Sequence, residues 1–185
     1  MPRAKAKQDV LRHTGDDGCA SLPDGTRWRK CDPRFDVLGT LDELNALLGL
    51  ALALGLPKRV RGDVMRMQRM TLQLGMCLPF GARAAARPAL RELETMLAEL
   101  DRMLARACAG LPPLHSFILP GGTPAAAALH VARTVSRRVE RLVTALKMPG
   151  RAAPLIRAVC NRLSMVLFAL ARACNRAARV KDTPL

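Results

Sequence analysis

Apolar residues recur at three- and four-residue steps along most of the chain, the period of a helix face turned toward a core. The clearest run is Leu90, Leu93, Leu97, Leu100 and Leu104, with Pro88 suited to the first turn of that helix. The same reading predicts one helix over about 35–54, stopped by Gly55 and Pro57, and another over about 58–78, closed by Pro79 and Gly81. Thr123 and Pro124 make a cap and first-turn pair for a helix over about 124–148, which Pro149 and Gly150 end. A last helix begins near Pro154 and runs to about Val180. Ahead of them, TGDDGCASLPDGTRWRKCDPR (residues 14–34) is dense in Gly, Asp, Pro and Thr and predicts loops and tight turns. A second loop spans Gly110–Gly122. No period of 20 to 50 residues recurs. The expectation is an all-α fold, an antiparallel five-helix bundle in a single domain over 1–185, with a flexible basic lead over about 1–10.

Composition strengthens that picture. Half of the 185 residues are hydrophobic, but Ala, Leu, Val and Met dominate and aromatics are only 3%. These are helix formers, and β-branched or aromatic runs are nearly absent. Six cysteines (Cys19, Cys31, Cys77, Cys108, Cys160 and Cys174) form no CxxC pair, disulfide framework or zinc-site spacing, so reduced cytoplasmic thiols are expected. There is no apolar stretch of signal-peptide type at the N-terminus and no uninterrupted apolar run of about 18 residues, so no membrane partner is expected.

Charge changes the list of partners. A formal net charge of +15 points to anions: nucleic acid, acidic membrane surface or phosphorylated metabolites. Arginine carries most of it and is spread over every predicted helix, with no compact basic tail beyond MPRAKAK. A recognisable DNA-binding motif and stacking aromatics are both lacking, which counts against nucleic acid.

Candidate chemistry concentrates in three places. On the 124–148 helix, Arg133, Arg137 and Glu140 fall within about 60° of one another, with Val131, Val135, Leu142 and Leu146 on the opposite side. Two guanidinium forks one turn apart can hold phosphate oxygens bidentately, with a Glu to orient one. Spacing alone leaves a second reading open, a solvated polar face with a weak ion pair. On the last helix Arg157, Asn161, Ser164 and Phe168 share a stripe opposite Leu155, Val159, Leu163, Val166 and Leu170. Asn161 is either a ribose or base contact or a plain surface amide. In TGDDG, Gly15 and Gly18 let backbone N–H groups turn toward an anion, Thr14 adds a hydroxyl, and Asp16 or Asp17 suits a phosphate-bound Mg²⁺. Lys30 follows twelve residues after Gly18 and is either a phosphate partner or merely exposed. His13, His115 and His130 have no metal-ligand spacing, Ser116 lacks a nucleophile elbow, and no metal ligands are assigned.

Taken in order, TGDDG, Lys30, GTLDELNALLG, FILPGG, LHVARTVSRRVERLV and CNRLSMVLFALAR resemble one family throughout, the ATP:cob(I)alamin adenosyltransferases of the propanediol-utilisation type. The resemblance covers about residues 11–175 and is weakest between 80 and 110. It implies a ferritin-like five-helix bundle assembling as a homotrimer, with active sites between adjacent subunits. Thr14, Gly15, Asp16, Gly18 and Lys30 of one subunit would then embrace ATP phosphates opposite Arg133, Arg137, Glu140 and Asn161 of another. Asp42 matches an acid that pairs across the interface with Arg133, and Phe117 matches an aromatic beneath the corrin ring.

The implied reaction moves the 5′-deoxyadenosyl group of ATP to cob(I)alamin, giving adenosylcobalamin and triphosphate. An apolar Phe117 that excludes the lower axial ligand would make reduction to Co(I) accessible, and the protein would need no catalytic base. ATP, Mg²⁺ and cobalamin are the implied ligands, with a flavoprotein reductase and an adenosylcobalamin-dependent mutase as partners. The chain departs from the family pattern at His13, Cys19, Ala20 and Met165, and near Met70 and Gln73. Two other functions stay open at this point: a corrinoid escort protein without turnover, and a basic helical nucleic-acid binder.

Overall fold

The computed structural model describes residues 13, 15–22, 25–78, 87–148 and 150–185. Thr14, the basic lead and the expected helix stops at Pro79, Gly81 and Pro149 lie outside them. Five helices carry the fold: α1 (Pro33–Ala53), α2 (Lys58–Cys77), α3 (Arg87–Cys108), α4 (Pro124–Ala145) and α5 (Ala152–Ala177). The sequence-based boundaries hold to within three residues at each end that was assigned. Two starts show why. Asp32 caps α1, its carboxylate accepting from the Arg34 N–H at 3.0 Å, and Pro33 opens the first turn. Thr123 does the same for α4, its hydroxyl accepting from the Ala126 N–H at 3.2 Å ahead of Pro124.

The loops contain more order than their composition predicts. Strand β1 (Cys19–Ser21) pairs antiparallel with β2 (Arg27–Arg29), Ala20 opposite Trp28. Strand β3 (Ile118–Leu119) pairs with β4 (Thr183–Pro184) at the C-terminus. Both ribbons are two or three residues long, too short to show alternation in sequence.

The core is assembled mainly from α4 on α5, α1 on α4 and α3 on α5, with α2 against α1. Leu44, Leu48, Met67, Leu74, Leu93, Leu100, Leu129, Ile156, Leu163 and Leu167 are fully buried in it. Truncating any one of these leucines to Ala would cost about 2–5 kcal/mol through lost transfer energy and the cavity left behind. Helix α5 is long and apolar enough to cross a membrane by length and composition, but its apolar face is buried against α4 and α3.

Helix α4 does not face the core as its sequence suggests. Val131, expected on the apolar side, is exposed, and Leu142 and Leu146 are only half-buried. The buried arc runs instead through Ala128, Leu129, Ala132, Val135, Ser136, Val139 and Val143. Small Ala and Ser side chains let α4 approach α1 and α5 at once, which turns the helix about 60° toward its arginine side. Arg133 consequently sits on the shoulder of the core, half-buried, rather than on a fully solvated face. The α5 stripe is similarly mixed: Arg157 and Asn161 are exposed, Ser164 is buried and Phe168 half-buried.

Candidate active site

Arg133 and Arg137 line one cleft of about 360 Å³ with Ser164, Met165, Phe168 and Arg172 of α5, Leu104 and Cys108 of α3, and Leu111 beyond its end. Three guanidinium groups converge there, set against an apolar wall. The Nε of Arg133 is buried without a hydrogen-bond partner. A buried donor left unmade costs about 1–3 kcal/mol, so Arg133 keeps an unmet donor at the cleft. Glu140 continues the Arg133 side of α4 half-buried, and Asn161 is exposed; neither lines this cleft. The structure thus brings Arg133 and Arg137 together and keeps Glu140 and Asn161 at its margin.

Beside Arg133 lies His130, for which the sequence offered no metal-ligand spacing. His130 is 3% exposed, and its ring meets Phe168 edge to face at 6.0 Å. Burial and then the nearby Arg133 charge push its pKa down, partly opposed by Asp182. Its Nδ1 is buried without a partner. A neutral ring beside Arg133 adds no further positive charge to the cleft.

Phe117 stands on the loop before α4 with 84% of its surface exposed. Few large aromatics are left so open, and this one is firmly held from behind. Arg172, nearly buried, donates from Nη2 to the Pro112 carbonyl at 2.8 Å and from Nε to Asp182 at 2.7 Å. Asn175, buried on the next turn of α5, accepts from the Thr123 N–H at 3.0 Å and donates to the Gly121 carbonyl at 3.0 Å. Gly122 has φ +99°, and a Cβ there would overlap the Asn175 amide, so glycine is required. Strand β4 then pairs beside Phe117, and the Leu185 N–H donates to the Phe117 carbonyl at 2.9 Å. Sequence reasoning missed Arg172, Asn175 and Asp182. The signal available was a charged and an amide residue at 172 and 175 inside an otherwise apolar α5 face, where an unpaired polar group would be costly.

The N-terminal loop forms a separate unit. Asp17 accepts from Arg27 Nη2 on both carboxylate oxygens at 2.8 Å and from the Cys19 N–H at 2.9 Å. The Arg27 hydrogen bond, then the Cys19 amide, holds the Asp17 carboxyl below its ordinary range. Asp17 is therefore occupied in shaping the turn, which leaves Asp16 exposed and without a side-chain partner among the described residues. Lys30 reaches back to the Gly15 carbonyl at 2.7 Å, and a Cβ on Gly15 would lie 2.9 Å from its Nζ. Gly18 takes φ +75° and accepts from the Lys30 N–H at 2.8 Å. Gly15, Asp16, Gly18 and Lys30 thus share one turn. Trp28 is braced on the same ribbon by Thr26 and by the Arg34 guanidinium, 3.6 Å above its ring.

The ribbon meets its own chain at α1, through Arg34 over Trp28, and through the buried Leu22 that follows β1; it does not reach α4, so within one chain this turn and the α4 arginines are not brought together. Asp42 lies exposed on α1 and makes no ion pair among the described residues, while its neighbour Glu43 is paired with Arg138 of α4.

Comparison with known proteins fixes the family. The family model described as cobalamin adenosyltransferase matches residues 10–174. A corrinoid adenosyltransferase of Mycobacterium leprae is 38% identical over 173 residues, 90% of this chain and 91% of that protein. A cobalamin adenosyltransferase of Cupriavidus metallidurans is 39% identical over 175 residues, covering 94% and 91%. Among solved structures, a phenylalanine-to-alanine variant of the PduO-type ATP:corrinoid adenosyltransferase from Lactobacillus reuteri, complexed with cobalamin and ATP, superposes with a TM-score of 0.80 at 26% identity. That match covers 95% of this chain and 98% of the other. With its five helices and its motifs in the family order, the chain belongs to the cobalamin adenosyltransferase family.

Proposed function

We propose that the protein transfers the 5′-deoxyadenosyl group of ATP to cob(I)alamin, forming adenosylcobalamin and releasing triphosphate. Family membership carries the reading, together with two independent surfaces suited to the two substrates: a guanidinium-lined cleft and an exposed, rigidly tethered phenylalanine. Arg133, Arg137 and Lys30, with the Thr14 hydroxyl and the backbone of Gly15 and Gly18, hold and neutralise the triphosphate. Glu140 orients the guanidinium groups, and Asn161 contacts the nucleoside. Phe117 presents an apolar face to the corrin, where it displaces water and the lower axial ligand. The reduced cobalt of the substrate then attacks the 5′ carbon; a Co–C bond forms, the C–O bond breaks, and triphosphate leaves with the electron pair. Positioning and charge stabilisation suffice, since the leaving group needs no proton from a side chain.

The complete site is assembled from two copies in a homotrimer. Two observations support this: an Arg133 Nε without a hydrogen-bond partner, and an Asp42 that makes no ion pair among the described residues. Asp42 of one copy meets Arg133 of the next. Mg²⁺ enters on the phosphates, with Asp16 as its protein ligand. Among the described residues no group of three His, Cys, Asp or Glu side chains is placed to hold a metal unaided. That suits Mg²⁺, which binds through one or two carboxylates and substrate phosphates. The six unbridged thiols fit a cytoplasmic setting, with a flavoprotein reductase upstream and an adenosylcobalamin-dependent mutase downstream.

The test is direct. Incubation with ATP, Mg²⁺ and chemically reduced cobalamin should convert the visible spectrum to that of the alkylated product. Absence of conversion while ATP still binds overturns the catalytic reading. Tight retention of adenosylcobalamin without synthesis would establish the escort reading in its place.

A further inference from the structure

We propose that the cleft between the first turns of α2 and the C-terminal turns of α3 and α5 is a second ligand site. It would take a small organic oxyanion, a carboxylate or phosphate carried on a compact apolar body. The cleft encloses about 520 Å³, within the range of small-molecule sites. It shares only Leu111 with the lining of the Arg133–Arg137 cleft, so its occupant would not be the nucleotide bound there.

Its walls are of two kinds. Arg59, Arg66, Arg106 and Arg176 supply four positive charges against one carboxylate in the lining, Asp63. Asp63 is 7% exposed and accepts from Arg106 at 2.9 Å and Arg66 at 3.2 Å, which fixes two guanidinium forks in place. Counting Glu99, 3.6 Å from Arg66, two positive charges still lack a counter-charge. Those belong to Arg59 and Arg176, neither of which makes an ion pair among the described residues. Guanidinium groups gathered in a recess repel one another, and an oxyanion held bidentately removes that cost. The floor is apolar, formed by Val60, Leu170 and Ala173, so a bare inorganic ion would leave it wet.

Two glycines open the recess. Gly62 sits inside α2, where glycine costs about 0.5–1 kcal/mol relative to alanine, yet nothing lies within 4 Å of where its Cβ would be. Packing therefore gives no reason for it; its effect is to leave the cleft wall bare. Gly110, at φ +96°, allows the Arg176 guanidinium to lie 2.7 Å from its own Cβ position, over the end of α3.

The experiment is calorimetric titration of the full chain, saturated with ATP, using phenyl phosphate in one arm and benzoate in another. Saturable binding is expected in at least one arm, and the tighter arm identifies the headgroup. Arg59→Gln and Arg176→Gln, which break no ion pair of the fold, should each weaken it about tenfold. Gly62→Leu keeps every charge, favours the helix and fills the recess; it should abolish binding, with circular dichroism unchanged. Inorganic phosphate binding as tightly as phenyl phosphate would overturn the organic class. Absence of saturation in both arms, binding indifferent to these variants, or binding lost in Arg137→Ala would each overturn the site.

Discussion

The two walls proposed for the nucleotide site are built in opposite ways. Arg133 and Arg137 project from the shoulder of α4, a helix locked between α1 and α5 by buried Ala, Val and Leu contacts. The turn from Gly15 to Lys30 has almost no core. Among its described residues only Leu22 is buried, and its shape rests on Asp17, Arg27 and Lys30 hydrogen bonds. The helical wall is rigid by packing, so the backbone that carries its guanidinium groups needs no ordering, and only the arginine side chains have rotamer freedom to lose. The loop wall is ordered by polar contacts open to water, each worth little alone. Such a wall gains its rigidity from what docks on it.

The largest effect is expected on the rigid wall. Arg137→Ala should lower kcat/KM by about 10²–10³ while leaving thermal stability in place, because Arg137 is exposed and outside the core. An unchanged rate would return it to the solvated-face reading. Phe117→Ala tests the second substrate. Steady-state rates should fall about 10- to 100-fold with the KM for ATP unchanged, since Phe117 and the arginines occupy separate elements. A parallel rise in the ATP KM would show that the two surfaces are not independent.

The helices were legible because each carries its own punctuation. Asp32-Pro33 and Thr123-Pro124 announce starts, Gly55-Pro57 marks a stop, and the leucines of α3 keep a strict period. What stayed hidden depends on contacts distant in sequence. No local pattern pairs Ile118 with Pro184, or sets Arg172 between Pro112 and Asp182. The tilt of α4 was equally hidden, because it follows from which neighbours approach its Ala face. The arginines could be picked from their spacing, but the half-buried setting of Arg133 could not. The order of motifs was needed to decide between phosphate site and solvated face.

The C-terminal latch gives the next prediction, intermediate in size. Asp182→Asn leaves the nearly buried Arg172 guanidinium short of its counter-charge and should destabilise the fold by about 1–3 kcal/mol, read by chemical denaturation. It should also raise the KM for cobalamin several-fold with the KM for ATP unchanged, because the latch backs the Phe117 loop. Asp17→Asn probes the loop wall in the complementary direction. The KM for ATP should rise about three- to tenfold, with no change in melting midpoint, since Asp17 is exposed and outside the helical core. Equal effects of the two variants on both substrates would erase the contrast between the walls.

The smallest effect should come from His130, between the core and the arginine wall. Its folded pKa is pushed below its unfolded value of about 6.5, so below that pH the unfolded chain binds a proton that the folded chain refuses. Stability from this group is present above pH 6.5 and is lost as pH falls toward the folded pKa, at no more than about 1.4 kcal/mol per pH unit. Asp17 and Asp32 are also held low, by Arg27 and by the Arg34 amide respectively, but from an ordinary value near 4, so their contributions are lost only below about pH 4. The two windows do not overlap. Denaturation midpoints measured from pH 7.5 to 5 should therefore decline in the parent protein and stay flatter in His130→Leu. Equal slopes would mean that Asp182 offsets burial and the Arg133 charge, and that His130 takes up its proton without leaving the core.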